Sequence, residues 1–276
     1  MKHAIDAPAK NKNKKKGKTV VLIILSVFIV GFIIGAVMLT ITLLNAAREQ
    51  ETFNELAGLV QDTDETDEDG ALRKYDELYK KNPDFFGWLK IEDTKIDYPV
   101  MYTPNDPEYY LHRDFYGNYS DSGMLFIDGD CPKDGNYYLI YGHHMNNGSM
   151  FGELPKYADI KFYEDHKTVF FDTRYELRDY EVFAAFYAKA YPKGEEEGFC
   201  YYTYKDLRSR ESFDEYVSNV KTISIYETGI TPVYGDELIA MSTCNYHTED
   251  GRFVVVARRI KDSDNKAATE SGTKTK

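Results

Sequence analysis

The pattern of apolar and polar positions sets an N-terminal apolar segment apart from a longer region of short apolar runs. Residues 20–44 carry no charge and are almost wholly apolar. As a helix these 25 residues extend about 38 Å, enough to cross a hydrocarbon core of about 30 Å with some tilt. A signal-peptide core usually has only about 7–15 apolar residues. We predict an uncleaved transmembrane anchor over 20–44, with a cleaved signal sequence as the alternative.

The pattern after this segment predicts helices first and strands afterwards. Apolar residues recur at helical spacing in 48–60 and 71–81, on either side of a strongly acidic stretch at 61–70. From residue 84 onward, short β-branched and aromatic runs alternate with turn residues. They predict strands at 87–91, 98–101, 124–128, 137–141, 168–172, 174–189, 237–243 and 252–260. Many short strands with this spacing are typical of a closed β-barrel or a sandwich, so the fold class is mainly β.

A helix is predicted between the last strands. Ser212 and Glu215 fit a capping box at its start. The apolar residues that follow share one helical face: Phe213, Tyr216, Val217, Val220 and Ile223. Such a helix either forms a groove wall or lid, or only packs on the barrel, and its apolar stripe favours packing. The preceding loop, 191–206, is rich in Tyr and Gly and is the better candidate for a contact surface.

Charge divides the chain at the same point as hydropathy. Residues 1–18 hold seven Lys and one acidic residue, and because they contribute +6 to a total of −12, the remainder carries −18. The positive-inside rule assigns the basic end to the cytoplasm and everything after residue 44 to the exterior. A basic nucleic-acid-binding arm is the alternative, but the apolar span follows it at once. The acidic exterior argues against nucleic acid as a partner.

These patterns predict five regions along the chain. They are a basic cytoplasmic N-terminus (1–19), a transmembrane anchor (20–44), a helical and acidic juxtamembrane region (45–83), one β domain (84–262) and a polar, disordered tail (263–276). The β domain is long enough to build a full core.

The chain has three cysteines, an odd number for a segment outside the cell. At least one of them is therefore unpaired within the chain. Cys131 and Cys200 could form a disulfide, although nothing in the sequence requires it. Cys244 is the best candidate for a free and reactive thiol.

Cys244 ends one predicted strand and Arg252 begins the next, with a turn signal at Asp250-Gly251 between them. If the two strands form an antiparallel hairpin, Cys244 and Arg252 face each other, with Cβ atoms about 5 Å apart. A neighbouring cation favours the nucleophilic thiolate. The alternatives are a buried, inert cysteine and an arginine that pairs with the loop carboxylates of Glu249 or Asp250. The alternation of side chains favours the reactive pair, because Cys244 ends its face beside a polar loop.

Two adjacent histidines, His143 and His144, follow the strand-like run at 137–141. Together with a thiol and an arginine, a histidine suggests covalent catalysis through a thioester. The residues alone do not distinguish His143 from His144. A zinc site built from these histidines or His247 with Cys244 is a weaker alternative, because no HxxxH or CxxC spacing supports it.

These motifs resemble those of the sortases, cysteine transpeptidases of Gram-positive cell walls. Ala240-Met241-Ser242-Thr243-Cys244 resembles the family's Thr-Leu-x-Thr-Cys, with Ala-Met in place of Thr-Leu. Tyr-Gly-His-His at 141–144 resembles the Gly-His motif, whose first histidine is catalytic, and this selects His143. Arg252 matches the arginine that begins the family's last strand. Family-like Gly-Trp-Leu-x-Ile and Ile-Asp-Tyr-Pro-Val occur at 87–91 and 96–100.

The resemblance is greatest to class B. It rests on the helical region that precedes the predicted strands, the helix predicted between the last strands, the Ser-Thr-Cys motif that ends at Cys244, and Gly-Ser-Met-Phe at 148–151. It implies an eight-stranded barrel, a catalytic domain over 84–262, and catalytic residues His143, Cys244 and Arg252. It also implies substrate-binding residues at the groove, namely Leu111, Tyr201, Tyr202, Ser242 and Thr243.

The implied activity is cleavage of a Pro-x-Thr-Gly/Asn-type sorting signal after Thr, through a thioester on Cys244. The partners would be surface proteins with C-terminal sorting signals and an amine of a peptidoglycan precursor or wall peptide. The resemblance implies neither a cofactor nor a metal. Two alternatives remain: a sortase that polymerises pilins through a Lys amine, and an inactive, membrane-tethered barrel that binds peptides.

Overall fold

The computed structural model describes residues 12–261, with side chains from residue 18 onward except that of Thr19. The predicted tail at 263–276 and the first 11 residues of the basic N-terminus lie outside the described residues. The chain divides into two compact units, one ending at Thr52 and the other beginning at Phe53. Helix α1 runs from Lys12 to Gly58.

Helix α1 contains the apolar segment predicted from the sequence. Between Val20 and Leu44 its large apolar side chains are exposed, and the mean hydropathy of its most apolar part is 3.2. A helix of this length and composition can cross a membrane, a property that N-terminal signal sequences share. Near the end of α1, in the second unit, Phe53 and Leu56 are buried.

The second unit is built around a closed eight-stranded barrel, as predicted, and its strand order is β1-β2-β3-β4-β7-β8-β6-β5. The strands are β1 (Phe85–Lys90), β2 (Asp97–Met101), β3 (Leu125–Ile127), β4 (Tyr137–Tyr141), β5 (Thr168–Thr173), β6 (Asp179–Lys189), β7 (Leu238–Cys244) and β8 (Gly251–Arg259). Two neighbouring pairs, β2–β3 and β4–β7, are parallel and the others are antiparallel. Closure leaves no open sheet edge in the barrel.

Short helices fill the connections between strands. The predicted helix at 71–81 is a 3₁₀ turn, Arg73–Tyr75, followed by α2, Asp76–Lys81. The β4–β5 connection contains a 3₁₀ turn, Leu154–Ala158, and helix α3, Ile160–Asp165, neither of which was predicted. The Asp159 side chain caps α3 by accepting a hydrogen bond from the Lys161 N–H.

Helix α4, Arg210–Ile223, packs on the barrel next to β6. Its buried residues are Phe213, Tyr216, Val217 and Val220, whereas Ile223, the last member of the predicted stripe, is 40% exposed. The predicted capping box at Ser212 is wrong. Ser209 caps the helix, because its Oγ accepts the Ser212 N–H at 3.1 Å.

The predicted strand at 174–189 begins too early, because β6 begins at Asp179. Residues 174–178 form the turn of the β5–β6 hairpin, in which the Phe171 N–H donates to the Arg178 carbonyl and the Thr173 N–H to the Glu176 carbonyl. Apolar Tyr175 and Leu177 continue the alternating pattern through this turn, but both side chains are exposed.

Aromatic residues dominate the core, and several of the largest fully buried side chains are tyrosines. Two of them join α4 to the barrel: the hydroxyls of Tyr137 and Tyr216 lie 3.1 Å apart, and the rings meet edge to face at 5.1 Å. A buried tyrosine needs such a partner for its hydroxyl. The contact therefore fixes α4 to the first residue of β4, which is paired with the first residue of β7.

Candidate active site

The β7–β8 hairpin brings a thiol and a guanidinium together. The antiparallel register pairs Cys244 with Arg252 at the end of the ladder, which confirms the prediction from the sequence. The hairpin loop closes tightly, with the Asn245 N–H donating to the Gly251 carbonyl at 2.9 Å and Asp250 at a φ of 55°. Cys244 is partly exposed, so a reactant can approach a thiol that lies beside a cation.

The guanidinium of Arg252 is held by the backbone of its own loop. Its Nη1 donates to the carbonyl oxygens of Gly251 at 3.0 Å and Asp250 at 3.2 Å. These contacts replace the alternative pairing with the Glu249 or Asp250 carboxylates. Within residues 12–261, Nε and Nη2 of Arg252 have no hydrogen-bond partner in the protein. Most of the N–H groups of the guanidinium can therefore bind a ligand.

The parallel pairing of β4 with β7 brings His143 to the same end of the barrel. Tyr141 is in register with Ser242, so the chain continues through Gly142 and His143 alongside Thr243 and Cys244. Two bonds extend the ladder by one residue: the Gly142 N–H donates to the Ser242 carbonyl at 3.2 Å, and Thr243 Oγ1 donates to the Gly142 carbonyl at 2.8 Å. The register thus sets where the histidine side chain begins.

Gly142 is required at this position because the chain passes through a tightly packed space. A Cβ on Gly142 would lie 2.4 Å from Leu125 Cδ2 and 2.7 Å from Phe151 Cδ2. Both neighbours are fully buried. Any other residue would therefore force either these buried side chains or the backbone that leads into His143 to move.

The two adjacent imidazoles have different surroundings. The His143 Nε2–H donates to the Leu111 carbonyl at 2.8 Å, whereas the His144 Nδ1–H donates to the Cys244 carbonyl at 2.9 Å. A carbonyl oxygen only accepts, so each bond requires a proton on the ring nitrogen that makes it. His143 lines the cavity next to Cys244, while the His144 ring lies 6.0 Å from that of Tyr246.

A cavity of about 420 Å³ brings all the predicted site residues together. It is lined by the three predicted catalytic residues, His143, Cys244 and Arg252, and by the five predicted substrate-binding residues, Leu111, Tyr201, Tyr202, Ser242 and Thr243. The loop at 191–206 contributes one wall, as expected for a contact surface. Helix α4 supplies none of the lining residues, in agreement with the packing alternative.

Comparison with known proteins decides the family. A sortase domain model matches residues 89–260. Sortase B of Listeria monocytogenes is 30% identical over 253 residues, which cover 88% of this chain and 96% of the relative. This chain is a class B sortase. Sortases are cysteine transpeptidases, so the chain belongs to a family of enzymes.

Solved class B sortases share this fold. The crystal structure of sortase B from Bacillus anthracis in complex with AAEK1 has a TM-score of 0.67 and 26% identity, and the match covers 79% of this chain and 99% of that one. A Staphylococcus aureus sortase B–substrate complex has a TM-score of 0.68 and 26% identity, with the same coverage. The closed barrel of this sortase is therefore the fold of its class.

Two hydrogen bonds shape the polar part of the sortase cavity. The hydroxyls of Tyr201 and Ser242 lie 2.7 Å apart, and each residue is only 1% exposed. Burial raises the pKa of Tyr201 to about 12, so its hydroxyl keeps its proton at neutral pH. The Tyr202 hydroxyl accepts a hydrogen bond from the Tyr191 N–H at 2.9 Å. This bond connects the start of the 191–206 loop, which we call the wall loop, to a residue near its end.

Asp128 is an acidic residue of the cavity wall that the sequence analysis did not identify. Its Oδ2 accepts hydrogen bonds from the Tyr141 hydroxyl, at 3.0 Å, and from the Lys205 ammonium. Burial, followed by the charge of Asp128, raises the pKa of Tyr141. Lys205 belongs to the wall loop at 191–206, so this contact fixes that loop to the end of β3, and the Tyr141 hydroxyl connects the same carboxylate to β4. In the sequence, Asp128 ends the strand predicted at 124–128 and Tyr141 ends the strand predicted at 137–141, which puts both at strand ends but does not pair them.

The three cysteines all lie among the described residues, and all are free. The alternative Cys131–Cys200 disulfide is therefore absent. Burial raises the pKa of Cys131 to about 11, which keeps that thiol protonated at neutral pH. In residues 12–261, no three His, Cys, Asp or Glu side chains converge as metal ligands.

Proposed function

We propose that this sortase cleaves a sorting signal of the type Asn/Ser-Pro-x-Thr-Gly/Asn after its Thr and transfers the new carboxyl end to a cell-wall amine. One observation carries the proposal: Cys244 and Arg252 lie opposite each other at a cavity that His143 also lines. A thiol, a fixed cation and an imidazole at one cavity are the groups that acyl transfer through a thioester requires.

In the first half-reaction, the Cys244 thiol passes its proton to His143 while Sγ forms a bond to the Thr carbonyl carbon of the signal. The C–N bond to the following residue then breaks, and His143 gives a proton to the leaving amine. Because the Leu111 carbonyl engages Nε2–H, Nδ1 of His143 carries the proton that moves. The product is a thioester on Cys244 and a free C-terminal fragment.

Arg252 stabilises the negative oxygen that develops on the Thr carbonyl. The carbonyls of Asp250 and Gly251 hold Nη1 in place, so the guanidinium needs little reorganisation when the charge appears. Nε and Nη2 present N–H groups in a planar fork suited to an oxyanion or a peptide carbonyl.

In the second half-reaction an acceptor amine attacks the thioester. His143 takes the proton that the amine loses, the C–S bond breaks as the new amide forms, and the proton passes from His143 to the sulfur, which restores the Cys244 thiol. We propose that the amine belongs to a lipid-linked peptidoglycan precursor or a wall peptide. No step needs a cofactor.

The cavity volume of about 420 Å³ suits several residues of a signal peptide, since ligand pockets typically measure about 300–1,000 Å³. The apolar and aromatic part of the cavity wall comes from Leu111, Tyr201 and Tyr202. Protein partners already engage the hydroxyls of Ser242 and Thr243. These two residues therefore contribute the shape of the wall rather than new hydrogen bonds.

We propose that residues 20–44 anchor the enzyme in the cell membrane by one span, with the basic N-terminus cytoplasmic and the catalytic domain, 84–262, outside. An exposed apolar helix of sufficient length and a lysine-rich flank support this topology. It would hold the enzyme beside a lipid-linked acceptor and in contact with surface proteins that bear sorting signals.

The test uses the full-length protein in detergent micelles with quenched fluorescent peptides. The peptides carry Asn-Pro-x-Thr-Asn, Ser-Pro-x-Thr-Gly or Leu-Pro-x-Thr-Gly, and each is offered either a wall-peptide amine or a Lys-bearing pilin peptide as the acceptor. We expect cleavage after Thr and transfer to the wall-type amine, both lost in Cys244→Ala. Transfer only to the pilin Lys would replace wall anchoring with polymerisation. Cleavage that persists in Cys244→Ala would refute the thioester.

A further inference from the structure

The β2–β3 connection contributes a second histidine to the surroundings of His143. The His112 ring stacks on the His143 ring, with centroids 5.3 Å apart and planes 25° from parallel. Tyr119 stacks on His112 in turn, at 6.4 Å and 22°. Tyr119, His112 and His143 thus form a series of three rings, which we call the ring stack.

We propose that His112 is a positioning residue for the sortase reaction: it sets the plane of the His143 ring by stacking on it. The proposal rests on the proposed acid–base role of His143. Its basis is that two consecutive residues of one loop act on one imidazole, the Leu111 carbonyl on Nε2–H and the His112 ring on the face.

The two contacts restrain different motions. The hydrogen bond to Leu111 fixes the direction of Nε2–H and the tautomer, but the ring can still tilt about that bond. A stacked neighbour opposes the tilt, and aromatic pairs at this separation contribute about 0.5–1.5 kcal/mol beyond area burial. Together they hold Nδ1 in one direction, and proton transfer depends strongly on such alignment.

The segment that carries His112 is itself fixed by a short hairpin. Arg113 and Tyr119 form an antiparallel bridge, and the Ser120 N–H donates to the His112 carbonyl at 3.2 Å. The Asp114 carboxylate closes the turn by accepting the Asn118 N–H at 2.8 Å. His112 and Tyr119 therefore lie on the two arms of this short hairpin, where their ring centroids are 6.4 Å apart.

Buried residues anchor this hairpin to the barrel domain. Tyr110 and Phe115 are at most 1% exposed. The Asn82 side-chain amide donates to the Tyr110 hydroxyl and to the Phe115 carbonyl, each at 2.7 Å. The hairpin is thus held on both sides of His112, and the exposed His112 ring sits on a rigid base.

Gly123 fixes the Leu111 carbonyl. This glycine has a φ of +56°, and a Cβ on it would lie 2.3 Å from the Leu111 oxygen. The chain can return against that carbonyl only because no side chain intervenes. The next residue, Met124, donates its N–H to the Tyr110 carbonyl at 3.0 Å. The Leu111 carbonyl and the His112 ring, which together hold His143, therefore belong to one preorganised loop.

Stacking needs a flat ring but not a titratable one, and this separates positioning from proton chemistry. The decisive variants of the full-length enzyme in micelles are His112→Ala, which removes the ring, and His112→Phe, which keeps a flat ring without a proton. Arg113→Ala is the matched control, since Arg113 is the exposed neighbour in the same hairpin.

We expect His112→Ala to lower kcat for the signal peptide by about three- to tenfold, with KM within twofold of wild type. His112→Phe should recover kcat to within twofold, and Arg113→Ala should leave both constants unchanged. Full activity in His112→Ala would overturn the proposal. So would equal losses in the Ala and Phe variants, because that result would assign the effect to imidazole chemistry rather than stacking.

A second measurement keeps this test separate from that of the sortase activity. The ¹H–¹³C order parameters of the His143 ring report how far the ring tilts, whether or not any peptide is cleaved. We expect a rigid His143 ring in wild type and in His112→Phe, and lower order parameters in His112→Ala. If no variant turns over peptide, the proposed function fails, and unchanged order parameters in His112→Ala would still refute the role of His112.

Discussion

Cys244 and Arg252 are paired residues of the β7–β8 ladder, the last pair before the hairpin loop. Residues opposed in this way have Cβ atoms about 5 Å apart, whatever the conformation of the loop beyond them. The backbone therefore maintains the spacing of thiol and cation. The account of catalysis depends on this pair and on the position of His143 beside it.

Arg252→Lys keeps the charge but removes the planar fork. Because a lysine cannot bond the loop carbonyls and a substrate oxygen in the same geometry, we expect kcat/KM to fall by roughly 10²–10³-fold. The melting temperature should change little, since the side chain is only partly buried. Steady-state peptide cleavage measures kcat/KM, and a thermal melt measures the melting temperature. Arg210→Lys, at an exposed position of α4, is the control. An Arg252→Lys variant that keeps more than half of wild-type kcat/KM would contradict the role of Arg252.

His143→Ala and His144→Ala should differ sharply. His143 lines the cavity, so its loss should lower the rate by about 10²–10⁴-fold. His144 donates to the Cys244 carbonyl, and its loss should cost about 1 kcal/mol of stability with a mild effect on rate. Peptide cleavage and chemical denaturation of both variants measure these effects. Comparable rate losses at the two positions would overturn the choice of His143.

Tyr201 should make the protein less stable at high pH. An ordinary tyrosine has a pKa of about 10, and burial raises the pKa of Tyr201 to about 12. Between these values the unfolded chain loses the proton that the folded chain keeps, so stability falls as pH rises through this range. The full effect is roughly 2–3 kcal/mol.

Tyr201→Phe should therefore reduce the loss of melting temperature between pH 9.5 and 11.5. At pH 7 the variant should be less stable by about 1–3 kcal/mol, because the buried Ser242 hydroxyl loses its partner. Tyr246→Phe is the control, since Tyr246 is 82% exposed. An alkaline loss as steep in Tyr201→Phe as in wild type would refute the assignment.

The hairpin was predictable because all its signals are local. Alternation fixed which face Cys244 and Arg252 share, and Asp250-Gly251 marked the turn. The same local pattern misled at residues 174–178, where Tyr175 and Leu177 alternate like strand residues but lie in a turn. The alternation of apolar and polar residues does not by itself show whether the apolar face of a segment packs against the core.

The remaining parts of the site depend on contacts between distant segments. The parallel register of Tyr141 with Ser242 joins residues about one hundred positions apart, and no local pattern encodes it. The family motif, not residue chemistry, selected His143 over His144. The contact of Lys205 with Asp128 and the stacking of His112 on His143 also follow from tertiary packing, which is why the sequence did not indicate them.

Intact-protein mass spectrometry of the acyl-enzyme tests the central claim most directly. Full-length enzyme is mixed with the best-cleaved peptide without an acceptor amine, quenched in acid and mapped by proteolysis. The account predicts a mass increase equal to the peptide fragment ending in Thr, located on Cys244, removed by hydroxylamine and absent in Cys244→Ala. Cleavage without an adduct on Cys244, or an adduct on Cys131 or Cys200 instead, would contradict it.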